Sequence, residues 1–131
     1  MNRDDLVAEA QAFAEEGMVD TCTIQHPTGE TTDPATDVVS PTYSMIYDNG
    51  PCRVQQQQPY AERNDAGQAY QLLLRMEIQL PMRVTGISPD DVVTMGISRD
   101  GDLIGRKFAV RDLAHKTDAS SRRIQCMEIT S

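Results

Sequence analysis

The longest run of alternating apolar and polar positions lies between residues 70 and 84. Its even positions are apolar: Tyr70, Leu72, Leu74, Met76, Ile78, Leu80, Met82 and Val84. Most of its odd positions are polar: Gln71, Arg75, Glu77, Gln79 and Arg83. A period of two predicts an extended strand with one face in a core and the other in water. The run therefore predicts a long β-ribbon whose core face includes Leu72, Leu74, Met76, Ile78 and Leu80.

The first 17 residues follow a helical pattern instead. Asn2 or Asp4 can cap a helix that runs to about Glu16, and Gly17 is a plausible stop. Its apolar stripe consists of Leu6, Ala10, Phe13 and Ala14. A helix with one apolar face is expected to dock on the rest of the protein.

The remaining strand-like segments are short and separated by turn residues. They lie at 19–26, 42–47, 52–57, 91–95, 104–113 and 122–129. Pro27 is expected to end the first strand, and Asp48-Asn49-Gly50 to form a hairpin turn between the next two. Residues 27–41 have loop chemistry, with a tight excursion at 33–37 between short extended arms left open. A long polar loop is expected at about 58–69.

This pattern predicts a mainly β fold: a small antiparallel β-barrel of six or seven strands, with a sandwich as the alternative. We expect the N-terminal α-helix to occupy residues 1–17 and a single β-barrel domain, with the long inserted loop, to occupy 18–131. At 131 residues the chain is the size of one domain. It has neither an apolar run long enough to span a membrane nor a secretory signal pattern, so we expect a product assembled in the cytoplasm.

Charge is unevenly spread along the chain. The net charge is −8, and residues 1–50 carry ten acidic side chains against the single base Arg3. Residues 99–131 carry seven bases against five acids. The acidic total disfavours nucleic-acid affinity, which relies on clustered Lys and Arg. The asymmetry indicates either simple solubility or opposite-signed faces that meet in a head-to-tail oligomer.

The chain offers little catalytic chemistry. Cys22, Cys52 and Cys126 have no metal-ligand spacing and are expected to be small buried hydrophobes, not a disulfide framework. His26 is better explained as a strand-end residue than as a base. The pair Asp90-Asp91 is a very weak cation signal, and no phosphate-binding loop is present. We therefore expect no enzyme activity, no cofactor and no bound metal.

Several segments resemble the head-closure, or head-to-tail stopper, proteins of long-tailed bacteriophages, particularly those of actinobacterial hosts. In chain order, they are Met18-Val19-Asp20-Thr21-Cys22-Thr23-Ile24, Pro27-Thr28-Gly29, Thr31-Thr32-Asp33-Pro34, Tyr47, Cys52-Arg53-Val54-Gln55, Leu103-Ile104-Gly105-Arg106-Lys107-Phe108-Ala109-Val110, Thr117 and Arg122-Arg123. No single segment is diagnostic. Their order, over most of the chain after the helix, carries the resemblance.

The resemblance implies a small β-barrel assembled as a homo-oligomeric ring in the virion's head-tail connector. That ring would lie beneath the portal and adaptor proteins, close the DNA-filled capsid, and offer a surface to the tail terminator or tail tube. DNA would pass through its channel without sequence-specific binding. The channel-facing loop candidates are Pro59, Tyr60, Glu62, Arg63, Asn64 and Asp65. The charge asymmetry adds Arg106, Lys107, Arg122 and Arg123 as subunit-interface candidates.

The alternatives belong to other classes of protein. A small β-barrel binding or adaptor module unrelated to phage assembly would need a pocket with aromatic or basic lining, and only 5% of residues are aromatic. An enzyme would need a convergent polar constellation, which two isolated histidines do not supply.

Overall fold

The computed structural model describes residues 2–56, 75–115 and 117–129, and confirms the mainly β fold with an N-terminal helix. The elements are α1 (Arg3–Glu16), β1 (Asp20–Thr32), β2 (Val39–Gln56), β3 (Arg75–Leu80), β4 (Val92–Met95), β5 (Lys107–Ala114) and β6 (Arg122–Glu128). A short 3₁₀ helix at Gly101–Leu103 lies between β4 and β5. No helix among the described residues is long and apolar enough to cross a membrane.

The six strands form one closed antiparallel barrel. Their order is β1-β2-β3-β6-β5-β4, and β4 pairs back with β1. Each strand turns alternate side chains inward, and these side chains fill the interior of the barrel. The predicted inward residues Met76, Ile78 and Leu80 are buried, as are Phe108 and Val110. Leu72 and Leu74, also predicted for the core, lie outside the described residues.

The predicted ribbon is too long at its C-terminal end. β3 stops at Leu80, because Pro81 has no N–H to continue the ladder. Val84 is still buried, but from the irregular segment that follows the strand. The three cysteines are buried and unpaired, as predicted for small hydrophobes.

The predicted hairpin turn at Asp48-Asn49-Gly50 is wrong. β2 is one continuous strand from Val39 to Gln56. Opposite β1, Cys22 aligns with Gly50 and Ile24 with Tyr47, so three steps on β2 match two on β1. The extra residue makes a β-bulge, and Asn49 takes a φ of 45° there. Residues that tolerate positive φ suit a bulge as well as a turn.

Pro27 does not end β1, which continues to Thr32. Past Gln25, β1 has left β4 and, among the described residues, pairs with β2 alone, so the described sheet there is a two-stranded ribbon. A proline is tolerated in such an edge position because no neighbouring strand on that side needs a hydrogen bond from its backbone nitrogen. The excursion considered at residues 33–37 is the turn of this ribbon, and its arms are long instead of short.

Helix α1 forms where predicted, with the Asn2 side chain accepting a hydrogen bond from the Asp5 N–H at 2.8 Å. The expected docking of its apolar stripe is wrong for the single chain. Leu6 is 55% exposed and Phe13 is 78% exposed, and no residue of α1 is buried. The helix is held by polar contacts, which turn the stripe outward.

Two ion pairs and one hydrogen bond make that polar attachment. Arg3 lies 2.7 Å from Asp118, and Glu15 lies 3.0 Å from Arg83. The Gln11 side chain donates to the backbone carbonyl of Ala119 at 3.2 Å. Exposed ion pairs contribute little to stability, so this attachment is weak.

Candidate functional site

The most distinctive surface of the molecule is the projecting part of the β1–β2 hairpin, residues 26–45, which we call the arm. Seven residues of β1 lie beyond its last pairing with β4. At the rise of an antiparallel strand they extend about 20 Å from the barrel. At the tip, the Asp33 N–H donates to the Val38 carbonyl at 3.0 Å, and the Asp33 carboxylate accepts from the Ala35 N–H at 2.9 Å.

The two faces of the arm differ in chemistry. Cross-strand partners share a face, so the pairs Pro27–Tyr43, Glu30–Pro41 and Thr32–Val39 lie on one side, which we call the apolar face. Val39, Tyr43 and the neighbouring Met45 are all exposed. The opposite face carries Thr31, Ser40 and the hydrogen-bonded hydroxyls of Thr28 and Thr42, 2.9 Å apart. The arm is therefore an amphipathic ribbon without a core to cover.

The root of the arm is fixed to the barrel by a buried carboxylate. His26 Nδ1 lies 2.5 Å from Asp91 Oδ1, so the imidazole donates to the carboxylate. Asp91 is fully buried, and its other oxygen accepts from the Ser88 N–H at 2.8 Å. Two backbone hydrogen bonds complete the anchor: the Val110 N–H donates to the Asp91 carbonyl at 2.9 Å, and the Asp90 N–H donates to the Val110 carbonyl at 2.8 Å. His26 thus marks where the strand leaves the barrel, and not its end.

A second anchor lies at the bulge in β2. The Tyr47 hydroxyl donates to the Pro51 carbonyl at 2.8 Å, which folds the ring over Gly50. A Cβ on Gly50 would lie 2.1 Å from the Tyr47 ring, so only glycine fits there. Burial is the main cause that raises the pKa of the Tyr47 phenol to about 12. The bulge and this ring set the direction in which β2 leaves the barrel.

A groove of about 490 Å³ lies near the first residue of β1. Its apolar lining is Val19, Val54, Met76 and Leu103, and its charged lining is Asp20, Arg53, Arg99, Asp100, Asp102 and Arg106. Neither Arg53 nor Arg99 has an ion-pair partner among the described residues. We call this feature the arginine groove.

Most acids of the arginine groove are already engaged. Asp20 is buried and accepts hydrogen bonds from the Ser98 hydroxyl and the Arg99 N–H, each at 3.1 Å. Asp100 accepts from the Asp102 N–H at 3.0 Å and so begins the 3₁₀ helix. Because the third base of the groove, Arg106, is paired with Glu128, Arg53 and Arg99 are its bases most available to an incoming anion.

The four bases predicted for a subunit interface are not equivalent. Arg106 lies 3.2 Å from Glu128, and Arg122 reaches the Met82 carbonyl at 3.4 Å. Arg123 lies 3.4 Å from Glu77, within ion-pair distance but outside hydrogen-bond geometry. Of these four bases, Lys107 alone is exposed and has no ion pair with another described residue. Three of the four already have partners in their own chain.

The predicted channel-facing residues Pro59, Tyr60, Glu62, Arg63, Asn64 and Asp65 lie outside the described residues. The sequence reasoning considered the arm only as two short extended segments around 33–37, and it missed their length and the anchor at Asp91. The alternation of Val39, Pro41, Tyr43 and Met45 was the available signal for the arm. The prolines and hydroxyl residues in the same stretch are typical of a loop, so the stretch was interpreted as one. Within the described ranges, no cluster of three or more His, Cys, Asp or Glu could hold a metal ion.

The comparisons with known proteins come from three sources. The model of a family described as a family of unknown function (DUF6093) matches residues 10–127. Among solved structures, the chain is similar to the phage-like element PBSX protein xkdH from Bacillus subtilis. The identity is 11%, the match covers 83% of this chain and 92% of that chain, and the TM-score is 0.46. No curated protein matches the sequence.

Proposed function

We propose that this chain, which belongs to the family of unknown function DUF6093, is a structural subunit of a bacteriophage head-tail connector. In this proposal, copies form a ring beneath the portal and adaptor proteins, close the DNA-filled head, and present a surface to the tail terminator or tail tube. The ordered segments that resemble head-closure proteins support it, since they span most of the chain after the helix. The protein is then a virion component assembled in the host cytoplasm.

The observation that carries the proposal is the apolar face of the arm. A two-stranded ribbon is at best marginally stable alone, and this one exposes Val39, Tyr43 and Met45 without covering any core. Contiguous exposed apolar surface at a projecting element marks contact with other proteins. A binding module for small molecules would instead need a pocket with aromatic or basic lining, and the arginine groove has the basic lining but no aromatic side chain among the described residues.

Charge supports the passage of DNA without binding. The net charge is −8, and between Pro27 and Met45 the chain carries Glu30, Asp33 and Asp37 but no base. Carboxylates repel phosphates, so an arm of this kind favours protein contacts over nucleic acid. DNA would therefore pass through the ring without a sequence-specific contact.

The test is inactivation of the coding sequence in the genome that carries it. We expect filled heads and free tails to accumulate unjoined, and the wild-type chain supplied in trans to restore joined particles. A chain with Tyr43→Ser and Met45→Ser should not restore joining. The matched control, Ile129→Ser, removes an apolar side chain of similar exposure from the barrel body and should restore it. Joined, infectious particles without the protein would contradict the proposal.

A further inference from the structure

We propose that the arm of each copy docks in the arginine groove of the next copy. The inference rests on the proposed function, because a ring requires a contact that every subunit repeats with its neighbour. It names both halves of that contact. The tip and apolar face of the arm form one half, and the arginine groove forms the other.

Charge is the first argument for the pairing. Glu30 and Asp37 near the tip have no ion-pair partner within the described ranges. Asp37 sits at the turn with a φ of 55°, so its position is fixed by the backbone. The groove offers Arg53 and Arg99 in the same unpaired state. Opposite charges placed this way steer two surfaces together and fix their register.

Shape and apolar character are the second argument. The tip is a narrow convex turn that exposes Val38 and Val39 beside its acids. The groove is concave, and its lining combines the apolar side chains of Val19, Val54, Met76 and Leu103 with the arginines. A buried apolar centre with charged groups at its rim is the usual anatomy of a specific protein interface.

The geometry of β1 prevents the arm from reaching the groove of its own chain. Asp20, the first residue of β1, lines the groove, and Thr32, the last, adjoins the tip. These ends of one extended strand are separated by twelve steps, roughly 40 Å at the rise of a strand. The contact must therefore join two copies through different surfaces. Such heterologous contacts close into a ring when the rotation between copies allows it.

Three variants test the contact in the purified full-length chain by sedimentation velocity over a concentration series. Asp37→Lys and Arg99→Glu should each weaken self-association by about tenfold or more, equivalent to about 1.4 kcal/mol. The double variant, with both charges exchanged, should recover most of that loss. An equal mixture of the two single variants should also recover association, because the unchanged arm of one chain fits the unchanged groove of the other and the reversed arm fits the reversed groove.

Arg111→Glu is the matched control, since it reverses an exposed base that lies outside the groove and outside the predicted interface set, and whose ion pair with Asp90 is itself exposed. It should associate like the wild type. The contact is overturned if the wild-type chain stays monomeric at about 1 mM, a concentration that detects binding of about −4 kcal/mol. It is also overturned if the double variant is no better than the single ones, or if Arg111→Glu is as harmful as Arg99→Glu.

Chemical crosslinking gives an independent readout of the same geometry. Cysteines introduced at Val38 and Val19 in one chain should give a ladder of oligomers with a short bismaleimide. Either cysteine alone should give dimers at most, because the three native thiols are buried. A ladder from the Val38→Cys chain alone, or none from the double-cysteine chain, would contradict the contact.

Joining of heads and tails separates this inference from the function it rests on. A chain that restores joined particles but shows no rescue by charge exchange keeps the proposed function and loses the arm contact. A chain that self-associates through arm and groove, but whose loss leaves heads and tails joined, keeps the contact and loses the function.

Discussion

Individual core residues were the most predictable feature, because the barrel interior imposes a strict alternation that the sequence also shows. Met76, Ile78 and Leu80 alternate with polar neighbours and are buried. The bulge residues were not predictable in the same way. Asn49 and Gly50 satisfy the chemistry of a turn and of a bulge equally, and only the Tyr47 ring packed over Gly50 decides between them.

At Ile78, replacement by Ala should lower the free energy of unfolding by about 2–5 kcal/mol, because the side chain is fully buried and its removal leaves a cavity. Urea denaturation measures the loss. Ile104→Ala is the control, since Ile104 is exposed, and it should change stability by less than about 0.5 kcal/mol. Equal effects at both sites would mean that the strand register is wrong.

The buried thiols predict a loss of stability in alkali. Burial raises the pKa of Cys126 from 9.0 to about 12, and the pKa of Cys22 is raised by its hydrogen bond to Cys52 and by burial. A raised folded-state pKa means that this stability is complete below the unfolded pKa near 9. It is lost as the pH rises toward 12, because the unfolded chain releases the proton first.

Urea unfolding between about pH 8 and about pH 10 measures this loss, which is at most about 1.4 kcal/mol per pH unit for each thiol. Cys126→Val should reduce the pH dependence of the free energy of unfolding by the contribution of one thiol. Staying below pH 10 keeps the Tyr47 phenol, with its pKa raised to about 12, out of the measurement. Identical slopes for the variant and the wild type would contradict the argument.

At the scale of elements, helix α1 and strand β6 were located well, and the length of the arm was underestimated. Helix propensity and the Asn2 cap are local, so they are visible in the sequence. Which face of the helix turns inward depends on distant partners such as Arg83 and Asp118, and that information is not local. Its length was underestimated because Pro27 and Pro41 interrupt hydrogen bonding without preventing two strands from pairing.

The outward stripe of α1 predicts that polar substitution there is harmless to folding. Leu6→Ser with Phe13→Ser should change the free energy of unfolding of the isolated chain by less than about 1 kcal/mol, mainly through helix propensity. Met18→Ala, at a buried position just after the helix, is the control and should cost about 2 kcal/mol or more. A large loss in the helix variant would show that the stripe packs against the barrel after all.

The arm should be the least protected part of the described sheet in a free subunit. Its amides at residues 28–42 belong to two strands only, so local opening there costs less than opening the barrel. Hydrogen exchange followed by mass spectrometry should show fast exchange in the arm and slow exchange in β3 and β6. On assembly the arm should become protected. Slow exchange in the free subunit would contradict this expectation.

At the scale of the whole molecule, the sequence showed an acidic N-terminal half and a more basic C-terminal end, but not which charges are available. Ion pairing within the chain occupies Arg106 and Arg123. Arg53, outside the predicted basic segment, and Arg99, at its first position, are unpaired in the described structure. Whether a charged side chain is free to contact a partner depends on its neighbours in space. A count of charges along the sequence does not give that information.

Association of subunits should slow as salt is added, because screening shortens the reach of exposed charges to roughly 8 Å near physiological ionic strength. Stopped-flow light scattering over a salt series measures the rate. In Arg99→Glu the dependence on salt should be weaker, since one of the steering charges is reversed. A wild-type rate that is independent of salt would assign association to apolar contacts alone.

If the chain assembles as proposed, the arm also has consequences for subunits that are still free. Its outer backbone edges have no third strand among the described residues, and such edges can seed fibrils. Pro27 and Pro41 each remove an N–H from these edges, and the irregular register around Thr28 disturbs the spacing of the rest. A strand from another chain would therefore meet few continuous backbone hydrogen-bonding groups at these edges. The prolines that made the arm resemble a loop in the sequence therefore also protect the free chain from aggregation through its strand edges.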